Sequence, residues 1–141
     1  MKRLAAIVLA ASAVAMLATL DPGMASAADT PADRVVVMYF HRTQRCPTCQ
    51  KMGSYSEEAV KSGFAEQLKD GTVAFYNVDF QDAKNAALTK GYKISGPALI
   101  VAKVKEGKVA EFKDLQDIWT KVREKNEFLE YVRENVKAYE K

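Results

Sequence analysis

The chain has two cysteines, and they stand only two residues apart in Arg45-Cys46-Pro47-Thr48-Cys49-Gln50-Lys51. Their position constrains the fold more than their number does. The β-branched, aromatic-ended run Arg34-Val35-Val36-Val37-Met38-Tyr39-Phe40 precedes them and a segment of helical character follows, so the pair marks a hand-over from strand to helix. A helix start leaves its first backbone N–H groups without intrahelical partners and carries partial positive charge, which favours a thiolate over a thiol. Pro47 suits the first turn, because the N–H it lacks has no partner there and its φ is already near the helical value. With Cys46 at the helix mouth, Cys49 falls on the same face and within bonding reach. These residues outline a redox switch.

Two other uses of the pair are open. A purely structural staple gains little from so short a loop, about 2 kcal/mol in the chain-entropy model against about 3 kcal/mol for a fifteen-residue loop. Structural zinc takes four Cys or His ligands, and the chain offers Cys46, Cys49 and one histidine, His41. Copper(I) accepts two thiolates, so a soft-metal chaperone using the same cysteines, with or without His41, stands as the alternative.

The N-terminus reads as a targeting segment. Lys2 and Arg3 form a basic start, Leu4 to Leu20 is uncharged and apolar, and Asp21-Pro22-Gly23 breaks the run before Ala25-Ser26-Ala27. That small-residue triplet is a cleavage signal, which makes 1–27 a signal peptide, 28–33 a flexible polar lead-in and 34–141 one folded domain. An uncleaved membrane anchor is the competing reading, since the run approaches spanning length. No cysteine follows the run to carry a lipid anchor. A periplasmic or secreted location follows from cleavage, and a bacterial periplasm permits disulfides. The remaining chain is ordinary for a single domain: 48% of the 141 residues are hydrophobic and 28% charged. Net charge is +3, and loss of Lys2, Arg3 and Asp21 leaves +2. Lysines and acids are interspersed, without the clustered basic face that nucleic acid requires. Arg42, Arg45 and Lys51 around the cysteines are a local exception, able to favour a thiolate or draw acidic substrates.

Arg34 to Phe40 is nearly continuous in apolar character, which suits a central strand buried on both faces. The cysteines should open a short helix to Met52, with a bend at Gly53 and a second piece, capped by Ser54 or Ser56, running to Lys69. Val60, Phe64 and Leu68 form its apolar stripe. Thr72 to Asp79 reads as a second strand, Asp82 to Lys90 as a capped helix ended by Gly91, and Ala98–Lys105 with Val109–Phe112 as a hairpin turning at Glu106-Gly107-Lys108. The C-terminal part is helical. Leu115, Ile118, Trp119 and Val122 share one face and Phe128, Val132 and Val136 another, with Asn126 as the cap between and Trp119 as a core anchor.

This order of elements and the Cys-Pro-Thr-Cys run resemble the thioredoxin-like superfamily over roughly residues 34–140, and within it the small exported bacterial proteins in which Tyr-Phe-His leads into Arg-Cys-Pro-Thr-Cys. The resemblance implies a three-layer α/β fold, a central mixed sheet of four or five strands with helices on both faces. It also implies a thiol-disulfide oxidoreductase that needs no cofactor beyond its redox-active disulfide. Cys46 would be the exposed nucleophile and Cys49 the buried resolving cysteine. Pro97, in Ile94-Ser95-Gly96-Pro97-Ala98, would be a cis-proline beside the disulfide and, with Gly96, would form a groove for an extended substrate. Arg45 stands where a tryptophan is usual and Pro47-Thr48 where thioredoxin has Gly-Pro. The buried Asp–Lys pair of thioredoxin falls near Met38 and Phe75, both apolar, which leaves His41 as the nearest titratable group for proton exchange with Cys49. The partners implied are protein thiols and disulfides, met by a monomer, and a membrane thiol transporter as electron donor if the protein is a reductant.

Overall fold

The computed structural model describes residues 30–141; the expected signal segment 1–27 and the first two residues of the expected lead-in lie outside the described residues. Among the described residues no helix is long and apolar enough to cross a membrane.

Strand β1 (Arg34–His41) is the axis of the domain. It pairs in parallel with β2 (Val73–Asp79) on one side and antiparallel with β3 (Ala98–Lys105) on the other, and β4 (Lys108–Asp114) completes a mixed sheet in the order β2-β1-β3-β4. A strand flanked on both edges and covered on both faces has no solvated side, and Val35 to His41 are all buried. Alternation sends Val35, Val37 and Tyr39 to one layer with Leu99 and Val101, and Val36, Met38 and Phe40 to the other with Val78, Ile100 and Ala102. Burying an aromatic side chain contributes roughly 1.5–3 kcal/mol. Neighbours Tyr39 and Phe40, both fully buried, therefore anchor one layer each.

The first layer is covered by α1 (Pro47–Gly63) and α5 (Lys125–Tyr139), through Met52, Ala59 and Val60 of the former and Phe128, Val132 and Val136 of the latter. The second is covered by Phe80, Tyr92 and Ile94 around a 3-10 turn (Ala83–Asn85) and α3 (Ala86–Gly91). Asp82 starts that segment as expected, its carboxylate accepting from the Lys84 N–H at 3.0 Å.

Helix α1 passes straight through Gly53, where the sequence predicts a bend. The glycine admits a neighbour: a Cβ there would stand 2.8 Å from Tyr39 Cε1. Ser56 is buried inside the helix and donates to the Met52 carbonyl at 2.6 Å, one turn back, so it caps nothing. The break falls instead at Phe64, whose φ of −137° leaves the helical region before α2 (Ala65–Asp70). The β3–β4 hairpin turns on Glu106 and Gly107, with φ of 52° and 75°, the primed geometry that matches strand twist. Ala32 and Asp33 of the lead-in hold this turn, accepting from the Gly107 and Glu106 N–H groups at 2.8 Å each.

Two C-terminal expectations are corrected. The 115–122 stripe presupposes one continuous helix, but α4 (Ile118–Lys121) is a single turn. Leu115, Ile118 and Val122 face inward, whereas Trp119 turns out and is 47% exposed. Asn126 lies within α5, which starts after Glu124 with no side-chain cap.

Candidate active site

The loop leaving β1 delivers Cys46 to the N-terminus of α1. Its backbone is extended, its sulfur accepts from the Cys49 N–H at 3.1 Å, and its carbonyl accepts from the Gln50 N–H at 2.9 Å, so Cys46 is the N-cap and Pro47 the first helical residue. A disulfide joins Cys46 to Cys49, with Cα atoms 5.1 Å apart. Burial divides the two. Cys46, Pro47 and Thr48 are exposed, while Cys49 is only 7% exposed and packs in the layer of Val37, Tyr39 and Met52. Such a pair can form and break its bond at one exposed sulfur, while the other is shielded from solvent.

Beneath the pair lies a polar cluster. The Tyr39 hydroxyl donates to the Cys49 carbonyl at 2.7 Å, and burial pushes this phenol up to about 12, opposed by the nearby Arg45 charge. His41, 8% exposed, has both ring nitrogens engaged. Nδ1 lies 2.8 Å from the Arg42 carbonyl and Nε2 lies 2.6 Å from an Arg45 guanidinium nitrogen. A carbonyl only accepts and a guanidinium only donates, so the two partners independently assign the neutral ring with its proton on Nδ1. Arg45 is half-buried, folded back from the helix mouth, with Nη1 3.5 Å from the position of a Gly53 Cβ.

The rest of the loop is stapled to the end of β2. The Thr43 hydroxyl donates to Asp79 Oδ2 at 2.7 Å, its N–H donates to Gln81 Oε1 at 3.1 Å, and the Phe80 N–H donates to the His41 carbonyl at 3.0 Å. The Thr43 hydroxyl, helped by the Gln81 N–H, holds the Asp79 carboxyl below the usual carboxylate value. Arg42 and Lys51 are exposed, and the Arg42 guanidinium lies 5.9 Å from the centre of the Phe80 ring.

Several site expectations change. Met38 faces the layer away from the cysteines, and Tyr39 is the residue of β1 that reaches Cys49. Parity along the strand held this information, but only a known register decides which parity faces α1. Pro47 and Thr48 occupy the first turn as expected. Gly96 and Pro97 are half-buried, just before β3, whose Ala98 pairs with Phe40, so they sit at the sheet end from which the cysteine loop departs. Every peptide bond among the described residues is trans, including that of Pro97, against the cis form implied by the resemblance. The trans form is the one an X-Pro bond prefers, by about 0.5–1 kcal/mol. The third copper(I) ligand that the sequence offers, His41, is engaged elsewhere. It is committed to Arg45 and Arg42, and among the described residues no three Cys, His, Asp or Glu side chains converge.

Comparison with family models and with curated sequences gives no match. Among solved structures, the chain is similar to a thioredoxin of Fasciola hepatica at 20% identity and a TM-score of 0.46, over 75% of this chain and 81% of that one. It is also similar to thioredoxin-2 of the malaria parasite at 19% identity and a TM-score of 0.41, over 64% and 82%. The sheet order β2-β1-β3-β4, with a Cys-x-x-Cys pair where the central strand hands over to a helix, is the element arrangement expected from the sequence. The fold is a three-layer α/β arrangement around a mixed sheet. Within this domain the strand-to-helix junction carries the only cysteine sulfurs, and the Tyr39–His41–Arg45 cluster lies directly under it.

Proposed function

We propose that this protein is an exported thiol-disulfide oxidoreductase that exchanges disulfides with protein partners. The observation that carries the proposal is the disulfide between an exposed, helix-capping Cys46 and a buried Cys49. In the reduced protein the Cys46 thiolate attacks one sulfur of a partner disulfide, forming a mixed disulfide and expelling the partner's other sulfur as a thiolate. The Cys49 thiolate then attacks Cys46 Sγ, restoring the 46–49 disulfide and releasing the second partner thiolate. Two electrons pass to the partner, and the two protons lost by the cysteines end on its sulfurs. The reverse sequence oxidises a partner dithiol. The helix mouth favours the thiolate at Cys46 in either direction, as a capping sulfur already accepts an N–H bond.

The remaining parts of the reading follow from the sequence. The apolar segment ending at Ala25-Ser26-Ala27 directs export and is removed, so that the mature chain begins at Ala28 in a periplasm. There a reductant draws electrons from a membrane thiol transporter. The Gly96-Pro97 turn, at the sheet end from which the cysteine loop departs, offers backbone groups to an extended substrate.

Iodoacetamide labelling of the reduced protein across pH should modify Cys46 well before Cys49, and insulin should be reduced catalytically when a dithiol is supplied. Cys49→Ala should trap mixed disulfides with client proteins, with Pro97→Ala in that background changing their lifetime. Faster labelling of Cys49 would reverse the assigned roles, and no catalytic exchange would end the proposal.

A further inference from the structure

A resolving cysteine must ionise to attack, and burial opposes ionisation of a thiol. Cys49 is buried among Val37, Tyr39 and Met52, an apolar setting that by itself keeps it protonated. Two polar groups enter that setting, one of them admitted by a missing side chain. Gly53 lies one helical turn after Cys49 and on the same face of α1. The space its side chain would fill is taken by the Tyr39 ring, 2.8 Å from a Cβ there, and the Arg45 guanidinium lies alongside at 3.5 Å. From this slot the Tyr39 hydroxyl reaches the Cys49 carbonyl.

Arg45 has no need to be there. As the residue before an exposed N-cap it is free to extend into water, the ordinary place for an arginine. It is turned inward instead and held by His41 Nε2, which is available only because the Arg42 carbonyl fixes the proton on Nδ1. Three residues thus bring one cation and one hydroxyl to the inner side of the helix start. The hydroxyl remains a donor, since burial disfavours its ionised form.

Resting on the oxidoreductase reading above, we propose that Arg45 and Tyr39 are positioning residues for the resolving step, with His41 holding Arg45 in place. The guanidinium stabilises the Cys49 thiolate from beneath the first turn. The Tyr39 hydroxyl fixes the backbone of Cys49 so that its sulfur remains aimed at Cys46 after the disulfide opens. Together they supply the polar surroundings that apolar Met38 and Phe75 do not.

The two half-reactions separate the proposal from a merely structural role. Attack is read from alkylation of Cys46 in a Cys49→Ala background, and resolution from the decay of a preformed mixed disulfide with a small aromatic thiol, followed across pH. Arg45→Met should slow resolution at neutral pH by about tenfold, the effect of roughly one unit in the thiol's ionisation, and move its pH profile upward while attack changes much less. Arg45→Lys should restore part of the rate. Tyr39→Phe, which keeps the ring in the slot, should also slow resolution while leaving the melting curve cooperative. Resolution unchanged in both Arg45→Met and Tyr39→Phe, in a protein whose wild type exchanges disulfides, overturns this inference and leaves the activity standing. Absence of exchange in the wild type overturns the activity itself.

Discussion

Replacing Gly53 with alanine sets two residue-scale effects against each other. Alanine is the better helix former by about 1 kcal/mol in a helix interior. Its Cβ would also stand 2.8 Å from the ring of Tyr39, which is fully buried. Overpacking of a filled core costs about 1–3 kcal/mol, so the close approach outweighs the propensity. Gly53→Ala should lower stability in urea denaturation and weaken the Tyr39–Cys49 bond; a gain in stability would show that the ring moves freely. The same residue shows the limit of local reading. A glycine in a helical pattern signals either a bend or a close approach, and only the identity of the neighbour distinguishes them.

At the scale of elements, the loop between β1 and α1 is held less by its own residues than by the end of β2. Asp79 pairs with His41 in the parallel register and takes the Thr43 hydroxyl, so the loop inherits its position from a strand almost forty residues away. The Asp79 carboxyl is depressed in the folded state, mainly by Thr43, from the ordinary value of 3.8. Its contribution is therefore fully present well above pH 3.8 and is lost as pH falls through the lower native value. Thermal melts between pH 5 and about pH 2 should show an acid loss that Asp79→Asn reduces, along with earlier amide exchange at Thr43. Equal acid sensitivity in the variant would remove Asp79 from this account. Nothing in the local sequence links Thr43 to Asp79, because the link needs the β1–β2 register.

Across the whole molecule, stability is gathered on β1, since each of its faces founds one layer. Phe40→Ala empties a site of 0% exposure in one layer and should cost about 3–5 kcal/mol. Unfolding should nevertheless remain a single transition by circular dichroism and tyrosine fluorescence, since the strand joins both layers. Trp119→Ala, by contrast, removes a residue that is 47% exposed on a one-turn helix and should cost less than about 1 kcal/mol. A large loss at Trp119 would mean that the C-terminal stripe packs as one continuous helix after all.

The sequence by itself determined the element order, the central strand, the hairpin turn and the chemistry available at Cys46 and Cys49. Each of these is a local property: an apolar run, turn residues, a spacing of three at a helix start. It left to the tertiary structure everything that depends on which elements meet. Register alone decided that Tyr39 and not Met38 reaches Cys49, and packing against that ring made Gly53 a slot where the pattern suggests a bend. The interruption of the C-terminal stripe placed Trp119 in solvent. The folding of Arg45 inward onto His41 follows from the same cause, since a side chain's partners are set by the elements packed around it, and no spacing along the chain records them.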